Sequence, residues 1–454
     1  MNPLIEKYNV PVPRYTSYPP ANFFHEGYGE QELIRAIEAS NRQEPSHLSF
    51  YIHLPYCNRM CHYCGCNAYP RTRHSSDSDY VEAVIREAEM VCSHIDPNRK
   101  IAQIHYGGGS PSTFNPDLIA AINEKLFSRF GTINDPEIAI ECHPGYMQAT
   151  AYERLANAGF NRMSIGIQDF NEEVLKASNR LPSLLPMEEL FALLREWQIR
   201  INLDFIYGLP LQSVESFRDT IARAITLQPD RLVTFSYAHV PHLFTRQKLL
   251  ERKGLPTEEL KSALYHASQQ LLLQAGYRQI GLDHYVKQED ELYHALYSGT
   301  LHRNFQGYCT RRTTGQVYSF GVTAISQLTG AYAQNSKDIE EYKRTILSGH
   351  LAVKKGYSLS REEQVTREVI TTLMCNEEIR WQELAEQLQI SVKQLQEMTA
   401  YSEEQMQQFA EDGLIHFNRE GIMMREKGSP YVRNVAASLD PLLINSDKTF
   451  SKPI

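Results

Sequence analysis

Four of the eight cysteines, Cys57, Cys61, Cys64 and Cys66, fall within residues 57–66, while Cys92, Cys142, Cys309 and Cys375 stand singly. The core spacing is C-x3-C-x2-C, with one more thiol two positions on. A disulfide framework spreads its cysteines over a short secreted chain, and this chain is neither short nor led by a basic–apolar leader. Structural zinc wants a second Cys/His pair downstream, and none is evident. An iron–sulfur cube takes one cysteine thiolate per iron. Three thiolates on one loop therefore leave one iron of a [4Fe–4S] cluster open, as a cluster that binds a ligand requires.

The chain that must position this loop has 454 residues, 42 % of them hydrophobic and 22 % charged, the balance of a folded globular protein. No run of 18 apolar residues occurs, so no membrane partner is expected and the location expected is cytoplasmic. The net charge of −8 argues against nucleic acid as a partner. Strand-like runs at Leu48–Leu54, Ile101–Tyr106, Glu137–Glu141, Arg162–Ile167, Arg200–Ile206 and Arg231–Tyr237 alternate with helical patterns. In the first helix Val81, Val84, Ile85 and Ala88 form one apolar stripe; further helices fit 116–129, 147–158, 186–197 and 213–227. Six β-then-α units imply a parallel sheet, either doubly wound or an incomplete, splayed barrel, with its chemistry at the C-terminal strand ends. The cysteines follow the first strand and Gly107-Gly108-Gly109 the second. Glu141, Gln168-Asp169 and Gly208-Leu209-Pro210 close the third, fourth and fifth. Past residue 355, short helices and a hairpin around Asn418–Gly421 resemble a winged helix. DNA binding there is disfavoured by 10 basic against 16 acidic residues over 356–454.

With Tyr63 just before the third cysteine, the loop resembles the radical S-adenosylmethionine superfamily. There the open iron chelates S-adenosylmethionine, and one electron cleaves it to methionine and a 5′-deoxyadenosyl radical. The resemblance narrows to the oxygen-independent coproporphyrinogen III oxidases. It is carried by Lys7-Tyr8-Asn9, Pro13–Pro19, Cys64-Gly65-Cys66-Asn67, Phe160–Phe170, Asp204–Pro210, Tyr237-Ala238-His239 and Leu301–Tyr308. It implies an α/β fold with an incomplete (β/α)6 TIM-like barrel over 46–355, an N-terminal arm over 1–45 and a mostly helical, winged-helix-like domain over 356–454. Cys57, Cys61 and Cys64 become the cluster ligands, and Cys66 is either the family's additional non-ligand cysteine or a small packing residue. Tyr51, Gly108, Glu141 and Ile325 would contact the cluster-bound S-adenosylmethionine. Tyr63, Gly109, Ser110, Gln168, Arg180, Asp204 and Ala238 would hold a second molecule of it.

The reaction so implied turns two propionates of coproporphyrinogen III into vinyl groups, giving protoporphyrinogen IX. Partners follow: this four-carboxylate substrate and a low-potential electron donor such as flavodoxin or ferredoxin, with the chain acting as a monomer. Arg14, Arg303, Arg311 and Arg312 are the cations that motif places for the carboxylates, with Tyr15 or Tyr308 to stack or donate. Two other readings stand beside this one. The first is a haem-handling relative, chaperone or haem-degrading methyltransferase, whose chaperone-like members lack the Gly65-Cys66 pair and the Arg14–Pro19 arm. The second is a non-catalytic iron–sulfur regulator on DNA. Ser110 replaces a common Thr, Tyr106 an expected Trp, and the run Arg433–Asp440 carries fewer cysteines than in relatives.

Overall fold

Leu48, Phe50, Ile52 and Leu54 alternate along the first strand-like run, and all four are fully buried in the computed structural model, which describes residues 3–444 and 446–452. The same holds for Ile138 and Ile140, Met163 and Ile165, and Ile201, Leu203 and Phe205. These side chains form one face of six parallel strands: β1 (Leu48–Leu54), β2 (Ile101–Gly108), β3 (Thr132–Cys142), β4 (Arg162–Gln168), β5 (Arg200–Tyr207) and β6 (Arg231–Ser236). Helices between the strands cover that face. The helix Asp77–Cys92, capped by the Ser76 side chain accepting from the Asp79 N–H, buries the predicted stripe Val81, Val84 and Ala88. Ile85 sits at its edge, half-buried.

The sheet continues past both ends of this set without closing on itself. Beyond β6 lie two short antiparallel strands, β7 (Arg278–Ile280) outermost and β8 (His284–Val286) against β6. Beyond β1 come β9 (Gln316–Phe320), parallel to it, then β10 (Ile325–Gln327), β11 (Ala331–Asn335) and β12 (Val353–Ser358) in antiparallel succession. Sequence periodicity found none of these six: β7, β8 and β10 are short, β9 and β11 are buried on both faces, and β12 carries no apolar alternation. The result is the expected α/β, barrel-like sheet of six βα units, open and extended at each edge.

The other face of β1–β6 is unusual for a barrel, whose interior is ordinarily filled with branched apolar side chains. Side chains two apart share a face, and here that face carries Ser49, Tyr51 and His53; Gln103 and His105; Glu137 and Glu141; Arg162 and Ser164; and Asn202 and Asp204. The bottom layer is ionic. Glu137 accepts from Arg162 at 2.7 Å and Gln103 at 2.8 Å, with Arg231 at 3.9 Å, and Arg231 in turn pairs with Asp290 at 2.8 Å. A contact between β3 and β6, three strands apart, shows that these groups meet inside the curve. The upper layers are polar and half-exposed, forming a well.

The C-terminal module packs five helices, Arg361–Asn376, Trp381–Leu388, Val392–Glu397, Glu403–Glu411 and Val432–Ser438, with a three-stranded sheet of Glu378–Arg380, Ile415–Phe417 and Gly421–Met424. Its core takes in Tyr8, Tyr15 and Tyr18 of the N-terminal arm. Tyr15 and Tyr18 donate to the two oxygens of Asp440 at 2.9 and 3.0 Å, and Arg433 donates to the Pro13 carbonyl at 3.0 Å. Arm and module thus fold as one piece.

Burial alone would raise the Glu137 carboxyl, but the guanidiniums of Arg162 and Arg231 outweigh it and hold it down to about 2. A depressed carboxyl contributes stability above its unfolded pKa and loses it as pH falls through the folded one. Glu137→Gln leaves the buried Arg162 guanidinium without its counter-charge, while Arg231 keeps Asp290 and Glu291, and costs about 3 kcal/mol at neutral pH. In denaturant unfolding the variant is expected to lose less stability than wild type between about pH 4.5 and pH 2. Parallel acid profiles would refute this account of the floor.

Candidate active site

After Leu54 the chain crosses the C-terminal end of the barrel. Tyr56–Cys57 pairs in parallel with Tyr69–Pro70 and closes the cysteine segment into a loop. Three braces fix that loop. Gly109 N–H donates to the Leu54 carbonyl at 2.9 Å and Ser110 N–H to that of Tyr56 at 3.1 Å. A Cβ on Gly109 would stand 2.3 Å from the Pro55 oxygen, so the end of β2 meets the loop backbone to backbone, and only glycine fits. Second, the loop after β4 reaches over: Asn179 Nδ2 donates to the Met60 carbonyl at 2.9 Å, and His62 N–H to that of Ser178 at 3.0 Å. Third, Arg246 donates to the Cys64 carbonyl at 2.7 Å, and buried Gln247 to those of Tyr63 and Ala238 at 3.0 and 3.2 Å.

All eight cysteines are free thiols, with Cys57 and Cys61 buried, Cys64 half-buried and Cys66 exposed. Arg180 lies beneath, donating to Cys61 Sγ at 3.6 Å, to Tyr63 Oη at 3.0 Å and to the Gly166 carbonyl. Ser110 Oγ sits 3.4 Å from Cys57 Sγ. The Cys66 thiol and N–H, with Arg246, hold Cys64 down to about 6, whereas burial pushes Cys57 up to about 11. The thiols of Cys57, Cys61 and Cys64 are near enough to perturb one another's ionisation. Yet among the described residues no three His, Cys, Asp or Glu side chains converge on a single metal ion. A cube offers each thiolate its own iron and needs no such convergence, so the three thiols fit a [4Fe–4S] cluster.

Below the loop lies the well. Tyr51 Oη meets His53 Nδ1 at 3.1 Å, and His53 Nε2 meets the Asn67 carbonyl at 2.9 Å. His105 stacks on Tyr51, 6.0 Å between centroids, and meets Glu141 Oε1 at 3.3 Å. Ser164 donates to Asp204 at 2.7 Å, and burial holds that carboxyl up at about 6. Gly108 turns back over the His53 ring at φ +117°, and Gln168 ends β4 at φ +71°. Ile325 starts β10, its carbonyl accepting from Ser319 Oγ at 2.6 Å. Of the residues expected at the two S-adenosylmethionine sites, all but Ile325 lie at the cysteine loop or at the mouth and wall of this well; Ile325 packs beside Phe24, Tyr332 and Leu359. The sequence reading missed His53, His105 and Ser164. The signal was present, as polar residues two apart in otherwise apolar strands.

Of the residues expected to meet the substrate, three are committed to partners within the chain. Arg312 pairs with Glu291 at 2.6 Å and donates to the Asp135 carbonyl at 3.2 Å. Asp135 precedes Glu141 by six residues of strand, so Arg312 sits about 20 Å below the well's mouth. Arg311 is held by Glu368 of the helix Arg361–Asn376. Tyr15 is buried with its hydroxyl committed to Asp440. Arg14, Arg303 and Tyr308 do come together. Tyr308 is wedged against Gly281 and lies edge-on to His284 at 5.2 Å, and the Arg303 guanidinium covers its ring at 5.0 Å. His284 pairs with Val233 on the well side of β6 and holds Asp283 at 2.7 Å.

The chain is similar in sequence and fold to known proteins. Residues 51–224 match the Radical SAM superfamily and residues 359–431 the HemN C-terminal domain. The chain is 36 % identical over 451 residues to the oxygen-independent coproporphyrinogen III oxidase of Helicobacter pylori strain J99, covering 99 % of this chain and 98 % of that one. It is 37 % identical over 448 residues to the protein of the same name from Escherichia coli K12, covering 97 % and 95 %. The solved structure described as "Coproporphyrinogen III oxidase (HemN) from Escherichia coli is a Radical SAM enzyme" superposes with a TM-score of 0.86 at 34 % identity, over 95 % of this chain and 98 % of that one. With identity of this order along nearly its whole length and the same fold around the loop, the chain belongs to the family of oxygen-independent coproporphyrinogen III oxidases.

Proposed function

We propose that the chain oxidatively decarboxylates two propionates of coproporphyrinogen III to vinyl groups, giving protoporphyrinogen IX in haem biosynthesis. The observation that carries this is the triad of free thiols on one braced loop, set over a polar well, in a member of this family. A [4Fe–4S] cluster and S-adenosylmethionine bound there supply a 5′-deoxyadenosyl radical. Cys57, Cys61 and Cys64 hold the cluster, and Cys66 stays off it at the loop's exposed end.

The rest is the work of this chain's own side chains. Tyr51, Gly108 and Glu141, on the side of the well nearest the cluster, together with Ile325 take its S-adenosylmethionine. Tyr63, Gly109, Ser110, Gln168, Arg180, Asp204 and Ala238 take a second molecule; Asp204 offers the carboxylate that a ribose hydroxyl seeks. Arm and C-terminal module, joined through Tyr15, Tyr18 and Asp440, cover the mouth and limit access of water and oxygen to the radical. In this reading 1–45, 46–355 and 356–454 are arm, barrel and cover. No helix among the described residues is long and apolar enough to cross a membrane; the reading places the chain in the cytoplasm as a monomer served by flavodoxin or ferredoxin. The regulator reading has less behind it, because the module's core is shared with the arm and its charge is acidic.

Anaerobic incubation of reconstituted protein with coproporphyrinogen III, S-adenosylmethionine and a low-potential reductant is expected to yield protoporphyrinogen IX and 5′-deoxyadenosine together. Cleavage without decarboxylation would favour the haem-handling alternative. Gly109→Ala, whose Cβ collides with the Pro55 carbonyl, is expected to lose most of its bound iron on reconstitution. Gly131→Ala, where nothing lies within 4 Å, should keep it; equal iron in both would show that the loop does not need this close approach. Because Asp204 is ionised only above about pH 6, the KM for S-adenosylmethionine should rise about tenfold from pH 7 to pH 5. Asp204→Asn should flatten that rise, and an unchanged profile in the variant would remove Asp204 from the binding site.

A further inference from the structure

Every arginine whose guanidinium is buried ordinarily needs partners, and the structure supplies them with one exception. Among the described residues, Arg99, Arg162, Arg180, Arg231, Arg367 and Arg433 all donate hydrogen bonds. Arg303 donates none. Its Nε and Nη1 are buried without acceptors, and its guanidinium lies over the Tyr308 ring instead. Around it stand further cations. Arg14 bonds only to Ser451 Oγ, at 3.2 Å, and Lys261 donates to the Tyr237 carbonyl at 3.0 Å. Arg433 is anchored on backbone carbonyls of the arm and of Ser451 and Lys452. Arg14, Arg303 and Arg433 are close enough for the charge of each to oppose its neighbours'. The carboxylates within reach are Asp283, already engaged by His284, and Glu258 beside Lys261. Four cations against two carboxylates, with the Nε and Nη1 of one half-buried guanidinium shielded from water and without acceptors, describe a pocket completed by an anionic ligand.

Building on the proposed function, we infer that Arg303 and Arg14 hold the two propionates that the reaction leaves intact. The argument is chemical. A propionate that becomes vinyl loses its carboxylate as carbon dioxide, so the negative charge disperses on the way. A guanidinium fork stabilises that carboxylate most before the bond breaks, which raises the barrier. The same fork on a spectator carboxylate fixes the macrocycle and leaves the barrier alone. Arginine therefore belongs on the retained arms, and the reacting arm belongs over the well, where Tyr51, His105 and Asp204 offer no such clamp.

The test uses the stable porphyrins and the reconstituted full-length protein, with binding read by fluorescence. Coproporphyrin III carries all four propionates; protoporphyrin IX carries only the retained pair. Arg303→Met is expected to weaken both by the same factor, about tenfold, and Arg303→Lys by less. Arg14→Met should behave like Arg303→Met, and Arg312→Met, at the far end of the barrel, should change neither. A loss confined to coproporphyrin III would place the reacting carboxylates in the pocket and overturn the inference, as would unchanged binding of both. Should wild type bind neither porphyrin, the functional reading itself falls and takes this one with it. Iron content and thermal melting of each variant identify misfolding, and if Arg303→Met misfolds, Arg14→Met and Arg303→Lys carry the same comparison.

Discussion

The close approach of two backbones, Gly109 against Pro55, is the constraint on which the site rests. A loop that offers three thiolates to a cube has few side chains of its own to pack, and its position must come from its main chain. The hydrogen bonds from Gly109 and Ser110 tie it to β2, those from Asn179 and to Ser178 tie it to the loop after β4, and Arg246 and Gln247 tie it to the segment after β6. Three separate strand ends thereby fix one loop. Arg180 adds electrostatics to the mechanics, for the guanidinium that braces Tyr63 also faces the Cys61 sulfur.

The six parallel strands serve this loop in an inverted way. Their apolar face is turned outward under the helices, and their polar face inward. A barrel packed inside with Val, Ile and Leu is a solid core; here that interior is exchanged for a ligand-sized well. The core is correspondingly displaced into the outer layer, where Leu48, Ile104, Ile140, Met163 and Leu203 are fully buried beneath the helices.

Much of this was legible in the chain itself. Cysteine spacing and the glycines after the second strand are local features, and local features survive being read one residue at a time. The six βα units were equally plain, because each is a run of β-branched and aromatic residues followed by an amphipathic stripe. Long-range pairings were not. Strands of three residues such as β7, β8 and β10 carry no period, and their existence depends on the edge they join. Arg311 and Arg312 illustrate the same limit. Motif proximity put them beside Arg303, but Arg312 has already turned to the far end of the barrel, where it meets Glu291, and Arg311 is taken up by Glu368 of the C-terminal module. The bond that Tyr15 makes was hidden for a related reason, since its partner Asp440 lies 425 residues away.

The ionic layer of Glu137, Arg162 and Arg231 gives the interior a closed end. Small molecules cannot drain through a floor of mutually paired, fully desolvated charges, so reactants and spent fragments share a single doorway. Were a bulky macrocycle to rest in that doorway with the smaller molecules deeper, traffic would be last in, first out, and methionine and deoxyadenosine would stay enclosed until the ring above them shifted.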